Sequence, residues 1–192
     1  GEDLAMFSWQ GGEPTLMGLE FFQKVVRLQG EHMRPGQIVT NALQTNGTLL
    51  DGLPDRVLSN LSNILLSIDG GETITDGFRG RGVYRQVVRN TQAVRDRMAG
   101  TFTARVTWSS EETSFEELDE LANTFDYVYF QFVAGEGTYT PAAMETKNAV
   151  IAQLVDNFFS SDQLYPIIPL MGIVRNKVLP TRATELCQGK AQ

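Results

Sequence analysis

Cysteine is almost missing from these 192 residues: Cys187 stands alone. That excludes an internal disulfide and any metal site built from several thiolates of this chain. Histidine also occurs once, as His32, among polar neighbours with no second His or Cys beside it, a poor start for a metal site. No apolar run approaches the ~20 residues needed to cross a bilayer. The opening Gly1-Glu2-Asp3 has no basic region and no long apolar stretch after it, so no signal peptide is expected. With a lone thiol as well, a cytoplasmic setting is expected. Positive charge is the scarcer sign, and the formal net charge is -7. A nucleic acid or an anionic membrane surface is therefore excluded as the main partner. Internal repeats and low-complexity tracts are absent too.

What is present reads as one globular domain. Hydrophobic residues make up 42% and charged residues 20% of the chain, as in ordinary folded domains. A chain of this length buries roughly 70% of the surface it exposes when unfolded, enough for its own core. An apolar run over residues 4–9 stops at Gly11-Gly12-Glu13-Pro14, and a wide apolar face at helical period follows over residues 16–29, with Gly30 as its expected stop. A strand is expected over residues 38–43, then the Asn46-Gly47 turn signal, then a short helix over about 54–61. Ile64-Leu65-Leu66-Ser67-Ile68 is a nearly continuous apolar run, suited to a strand covered on both faces. Residues 75–82 read as a glycine-rich loop and 83–98 as a helix. Phe102, Ala104, Val106 and Trp108 alternate with Thr103, Arg105 and Thr107 in a period-two strand. Ser114-Phe115-Glu116-Glu117 has the capping-box pattern of a helix start. A strand over 127–133 and a helix begun by Thr140-Pro141 follow. Three prolines between 166 and 180 predict extended or irregular structure there. Strand and helix thus alternate about five times, which predicts an α/β fold with a parallel sheet, open or closed as a barrel.

Ligand sites in such folds lie at the carboxyl ends of the strands. Those ends collect polar residues and glycines: Gly11-Gly12-Glu13, Gln44-Thr45-Asn46, Ser67-Ile68-Asp69, Ser109-Ser110-Glu111, and residues 131–135. Two glycines let the backbone approach a ligand with no Cβ between, and Pro14 stiffens the turn that presents Glu13. Arg79 comes from the loop after the third end and can meet a carboxylate with two hydrogen bonds. The pattern suits a small polar ligand carrying both an amine and a carboxylate.

Four motifs in order carry a resemblance: Trp9-Gln10-Gly11-Gly12-Glu13-Pro14-Thr15-Leu16, Leu43-Gln44-Thr45-Asn46-Gly47-Thr48, Leu66-Ser67-Ile68-Asp69-Gly70, and Asp76 with Arg79. Together the motifs resemble the radical S-adenosylmethionine (SAM) superfamily, nearest its branch of anaerobic sulfatase-maturating and related peptide-modifying enzymes. The resemblance spans roughly residues 5–135. It implies a partial (β/α)6 barrel of TIM-like type, with residues 1–160 as the core and 161–192 leading toward an accessory-cluster region. It implies SAM as cofactor, with Gln10 among the residues that bind it, Gly11, Gly12 and Glu13 at the methionyl amino group, Ser67 and Arg79 at the carboxylate, and the backbone of Phe130 at the adenine. Gln44 and Asp69 match positions near the reaction cavity. The chemistry implied is reductive cleavage of SAM by a [4Fe–4S] cluster to a 5′-deoxyadenosyl radical that modifies a peptide or protein.

The same family holds its cluster with three cysteines in a CxxxCxxC loop upstream of Gly-Gly-Glu-Pro, and no cysteine precedes Phe7 here. A [4Fe–4S] cluster needs thiolates, so the expectation is a barrel lacking its first β/α unit and inactive alone. An edge left open that way favours self-association. Cys187 is a weak candidate for an accessory cluster and more simply a lone thiol. Two other readings stand beside this one: a barrel hydrolase with Glu13 and Asp69 as acid and base, and a non-catalytic peptide-binding module. The acids from Glu111 to Glu120 read as a solvated helix face. The short Arg79–Arg81 glycine tract is no RNA-binding element in so acidic a chain.

Overall fold

The structure, a computed structural model, describes residues 3–108, 113–133, 140–162 and 165–178. Five parallel strands lie in the order of the chain: β1 (Asp3–Trp9), β2 (Gln37–Thr45), β3 (Leu61–Ser67), β4 (Thr101–Trp108) and β5 (Tyr127–Phe132). The helices between them are α1 (Leu19–His32), α2 (Asp55–Leu58), α3 (Glu72–Arg79), α4 (Val83–Arg95) and α5 (Phe115–Thr124). Two more, α6 (Pro141–Ser160) and α7 (Ile168–Val178), follow β5. Consecutive strands that pair in parallel need a crossover each, and the helices supply it. The sheet curls into a half-barrel, so the expected α/β barrel architecture is what the chain adopts.

The alternation seen in the sequence sets the two faces. Ile64, Leu66, Phe102, Ala104, Val106, Trp108 and Val128 are fully buried, packed with Val87, Leu118, Leu121 and Leu154 from the helices. The residues between them point to the inner, concave face, and there they are mostly polar: Gln44, Ser67, Thr107 and Gln131 with Arg105. One face is thus oil and the other is a wall able to hold a polar ligand. No helix among the described residues is long and apolar enough to cross a membrane.

Several local expectations need correcting. Gly30 does not stop α1, which runs on to His32 and ends as Met33 turns extended; Arg34, directly ahead of Pro35, is disfavoured in the helical region, so the helix could not continue far beyond it. Leu61 belongs to β3 rather than to the preceding helix, which is only Asp55–Leu58. The supposed glycine-rich loop is mostly helix: α3 buries Ile74 and Thr75, and only Gly80 and Gly82 take positive φ. Residues 168–178 are helical, not extended, because Pro169 falls in the first turn, where its missing N–H costs nothing. The acidic face of α5 is not all solvated: Asp119 accepts from the Tyr165 hydroxyl at 2.7 Å and Glu120 from that of Tyr84 at 3.3 Å. Burial and that neighbouring carboxylate push the Tyr84 phenol up to about 12. Ser109, Ser110, Glu111, Glu112, residues 134–135 and Cys187 lie outside the described residues.

Past residue 160 the chain returns to the same core. Val128 pairs with Ile167, the amide of Val128 donates to the carbonyl of Pro166 at 2.8 Å, and Tyr165, Ile167 and Leu170 are buried.

Candidate functional site

The mouth of the half-barrel is built around Glu13. Upstream, Trp9 anchors the end of β1: its ring stands edge-on to Phe21 and Phe22 of α1, at 5.7 and 6.3 Å between centroids. Its indole N–H donates to Asn41 Oδ1 at 3.0 Å, an atom that also accepts from Gln29 at 2.9 Å. From this fixed point the chain turns through Gly11 (φ +96°) and Gly12 (φ +48°). Residues with a Cβ rarely adopt such angles, and a Cβ built at either glycine meets nothing within 4 Å. The turn therefore lies open, with its peptide groups accessible from the mouth.

Glu13 is not a loose acid. Its Oε1 accepts from the Thr15 amide (3.0 Å), the Thr15 hydroxyl (2.6 Å) and the Thr45 hydroxyl (2.7 Å); its Oε2 accepts from the Asn46 amide (2.6 Å). The carboxylate thus caps the 3-10 turn Pro14–Met17 and ties it to the end of β2. Burial, the largest single influence, pushes the Glu13 carboxyl up, yet the hydrogen bonds from Asn46, Thr15 and Thr45 together hold it below the usual range. Glu13 is a fixed anion. Oε1 is saturated, while Oε2 keeps acceptor capacity for one further donor.

The Gln44-Thr45-Asn46-Gly47-Thr48 turn is held equally firmly. Asn46 Oδ1 accepts from the Thr48 amide at 2.9 Å, and Asn90 of α4 donates to the carbonyls of Gly47 and Thr48 at 3.1 and 3.0 Å. Gln44 is half-buried on the inner face beside it.

At the end of β3, Ser67 is half-buried on the inner face, while Asp69 is 6% exposed. Arg79, from the last turn of α3, grips Asp69 with Nε on Oδ2 at 2.5 Å and Nη2 on Oδ1 at 3.0 Å. The sequence offered these two residues for separate tasks, and the fold pairs them. Phe130 packs its ring against Trp108 at 5.3 Å on the helix side of the sheet, which leaves its backbone, not its side chain, toward the concave face. Gln10 is exposed at the β1 end. Lone His32 ends α1, with Nδ1 2.9 Å from the carbonyl of Leu28.

One inner-wall residue escaped the sequence reading. Arg105 of β4 is the register partner of Ser67 and its Nη2 donates to Gln131 Oε1 at 3.0 Å. Its place in the polar half of a period-two strand was the signal that could have found it. Gln44, Ser67, Arg105 and Gln131 therefore share one side of the sheet, while Gly11, Gly12 and Glu13 stand past the end of β1 beside the end of β2: open peptide groups and an anion at one edge, a hydroxyl on β3 and a cation on β4. That is a donor and acceptor set for a zwitterion.

No family model matches the chain. It is similar to the serine-type anaerobic sulfatase-maturating enzyme of Klebsiella aerogenes, 39% identical over 88 residues, or 43% of this chain and 22% of that protein. It is similar to the cysteine-type enzyme of Clostridium perfringens, 49% identical over 69 residues, or 35% of this chain and 19% of that protein. The matched stretches thus span about a fifth of those relatives' length. In three dimensions it resembles native anSMEcpe with bound AdoMet and Kp18Cys peptide, with a TM-score of 0.71 and 23% identity over 93% of this chain and 54% of that one. A domain of pyruvate-formate lyase-activating enzyme from Bacteroides vulgatus shares the fold more distantly, at a TM-score of 0.53 and 18% identity. The radical SAM kinship implied by the four ordered motifs is borne out: this chain is a relative of the anaerobic sulfatase-maturating enzymes, in sequence over less than half its length and in fold over nearly all of it.

Proposed function

We propose that this chain is the SAM-holding barrel of an enzyme that turns SAM into a 5′-deoxyadenosyl radical in order to modify a peptide or protein side chain. The observation that carries it is the set of open peptide groups, fixed anion, hydroxyl and cations gathered at the strand ends of the barrel, on a chain similar to sulfatase-maturating enzymes. The residues fit SAM: the open carbonyls of Gly11 and Gly12 and the unsaturated Oε2 of Glu13 suit an ammonium group, with Gln10 beside them. Ser67 and an arginine meet the methionyl carboxylate; family resemblance nominates Arg79. The Phe130 backbone lies along the adenine, and Gln44 with Asp69 borders the space for the substrate. Bound SAM would supply the adenosyl carbon; this chain's part is to hold both ends of the methionine so that the sulfonium is presented in one pose.

The residues do not fit a [4Fe–4S] cluster. Such a cluster needs several thiolates, the sequence has one cysteine, and no group of three His, Cys, Asp or Glu among the described residues is arranged for a metal. Its ligands belong to other parts of the functional protein. We assign residues 1–160 to the SAM-holding core and those beyond to an extension toward an accessory-cluster region. A peptide or protein is the proposed substrate, because solved relatives include complexes with the Kp18Cys and Cp18Cys peptides, and a cytoplasmic site of action goes with that reading. The chain on its own is proposed to be inactive in the radical reaction.

Calorimetric titration of the chain with SAM tests the reading, together with anaerobic reconstitution of the cluster-bearing protein. Saturable SAM binding and release of 5′-deoxyadenosine are expected. A fully loaded cluster with no SAM cleavage would sink it.

A further inference from the structure

Asn46-Gly47 is the one Asn-Gly pair in the sequence, and it lies in the turn that Glu13 fastens. An asparagine followed by glycine is open to a reaction with its own main chain, because glycine has no side chain to block the approach. The Gly47 nitrogen bonds to Asn46 Cγ, the Cγ–Nδ2 bond breaks, and ammonia leaves carrying the proton of the Gly47 amide. Water then opens the cyclic imide at either carbonyl. The products are aspartate and isoaspartate, the second with its main chain running through the side-chain carbon.

The fold engages every atom of that reaction. Asn46 Oδ1 accepts from the Thr48 amide at 2.9 Å and the Thr48 hydroxyl at 2.7 Å. Two donors on a carbonyl oxygen stabilise the anion that an attack creates there, so by themselves they favour it. The nucleophile decides otherwise. The Gly47 N–H donates to Thr45 Oγ1 at 3.1 Å, and that hydroxyl donates onward to Glu13 Oε1 at 2.7 Å. The Gly47 carbonyl accepts from Asn90 at 3.1 Å. A Cβ built on Gly47 would stand 2.9 Å from Leu66 and 3.0 Å from Val87, so the residue has no slack in which to turn. On its other flank the Asn46 amide is held by Glu13 Oε2 at 2.6 Å. Ring closure therefore requires freeing the Gly47 amide and turning a peptide that is gripped on both sides.

We propose that Asn46-Gly47 is a latent deamidation site kept unreacted by the hydrogen bonds of Thr45 and Glu13, and that isoaspartate formed there unfastens the β2 end of the mouth. Aspartate at this position keeps an oxygen for the two Thr48 donors. Isoaspartate puts one more main-chain carbon between the amide that Glu13 holds and the amide that Thr45 holds, so the two bonds no longer fit together. The inference is independent of what the mouth binds.

Peptide mass mapping of the chain aged in mildly alkaline buffer, with chromatography that separates aspartate from isoaspartate, tests it. The folded wild type should convert roughly 10- to 100-fold more slowly than the same chain in guanidinium, as expected for releasing about two hydrogen bonds. Thr45→Val removes the acceptor of the Gly47 N–H and should convert up to roughly tenfold faster than wild type while its circular dichroism stays native. Should Thr45→Val not fold, the wild type in rising sub-denaturing guanidinium replaces it, and conversion should then track hydrogen exchange at the Gly47 amide. Equal or faster conversion in the folded wild type, a folded Thr45→Val no faster than wild type, or conversion that ignores Gly47 exchange overturns the protection. The isoaspartate-bearing chain should melt below both wild type and Asn46→Asp. Melting at the wild-type temperature, or below it no further than Asn46→Asp does, overturns the unfastening.

Discussion

Asp69 and Arg79 form a two-pronged ion pair that joins the end of β3 to the end of α3, with the carboxylate side chain 8% and the guanidinium side chain 28% exposed. Such a pair adds little net stability compared with apolar residues, but half of it is worse than none. Arg79→Gln leaves a nearly buried carboxylate uncompensated and should cost up to about 3–5 kcal/mol in urea unfolding. The double variant Asp69→Asn/Arg79→Gln should cost less than the sum of the single changes. Strict additivity would mean that the two side chains act independently.

Glu13 predicts a pH dependence. Its carboxyl titrates below the ordinary value in the folded chain. The folded state therefore binds its proton less readily than the unfolded one. The resulting stability is present above the unfolded carboxyl value of about 4.3 and is lost as pH falls through the lower folded value. Glu13→Gln should flatten the acid limb of the stability curve. It should also cost about 1–2 kcal/mol at neutral pH, the modest figure reflecting solvent access to the site. An acid limb unchanged by the substitution would place the pH sensitivity elsewhere.

Asp76 works between two helices, accepting from the amides of Gly82 at 2.5 Å and Tyr84 at 3.0 Å where α4 begins. Hydrogen bonds from the Tyr84 and Gly82 amides hold its carboxyl below the usual range. Asp76→Ala should speed hydrogen exchange at the first amides of α4 and leave those near Val94 unchanged. Uniform acceleration along the helix would point to global rather than local loss.

Gly100 enters β4 through a gap with no room for a methyl group. A Cβ there would stand 2.5 Å from the carbonyl oxygen of Leu61 and 2.7 Å from that of Ser62. Both are backbone atoms of the neighbouring strand and cannot swing aside. Gly100→Ala should therefore cost about 2–3 kcal/mol, in the range of overpacked sites. A melting temperature within a degree of wild type would show that the strands can part.

Strand β1 pairs only with β2 among the described residues and exposes Leu4, Met6 and Phe7. Behind it runs an apolar groove lined by Phe7, Trp9, Val25 and Leu28. An edge of that kind invites a second strand, and sedimentation should show the isolated chain associating in a concentration-dependent way. Met6→Lys should drive it toward monomer. A wild-type monomer at all concentrations would remove the edge from consideration.

Much of this molecule was legible beforehand because its signals are periodic. The alternation in β4 announced both its buried face and its polar one, and Ser114 and Thr140 announced their helices, each accepting from the amide three residues on. The Gly-Gly-Glu turn was legible as an open, rigid mouth. What stayed hidden depends on partners distant in sequence. Nothing near Arg79 says that Asp69 will claim it, and nothing near Glu13 says that Thr45 and Asn46 will. The glycines of 77–82 masked α3, because local propensity gave no hint of Ile74 and Thr75 being buried. Pro169 suggested a break where its position in a first turn allows a helix.

The fastening of Glu13 to Thr15, Thr45 and Asn46 also bears on how a ligand arrives. The groups that it joins belong to two strand ends 32 and 33 residues apart in the chain, and both are immobilised before anything binds. Little conformational entropy remains for the ligand to remove at that end of the site. Association there should be a single fast phase with a small heat-capacity change, the behaviour of a stiff socket rather than of a closing hand.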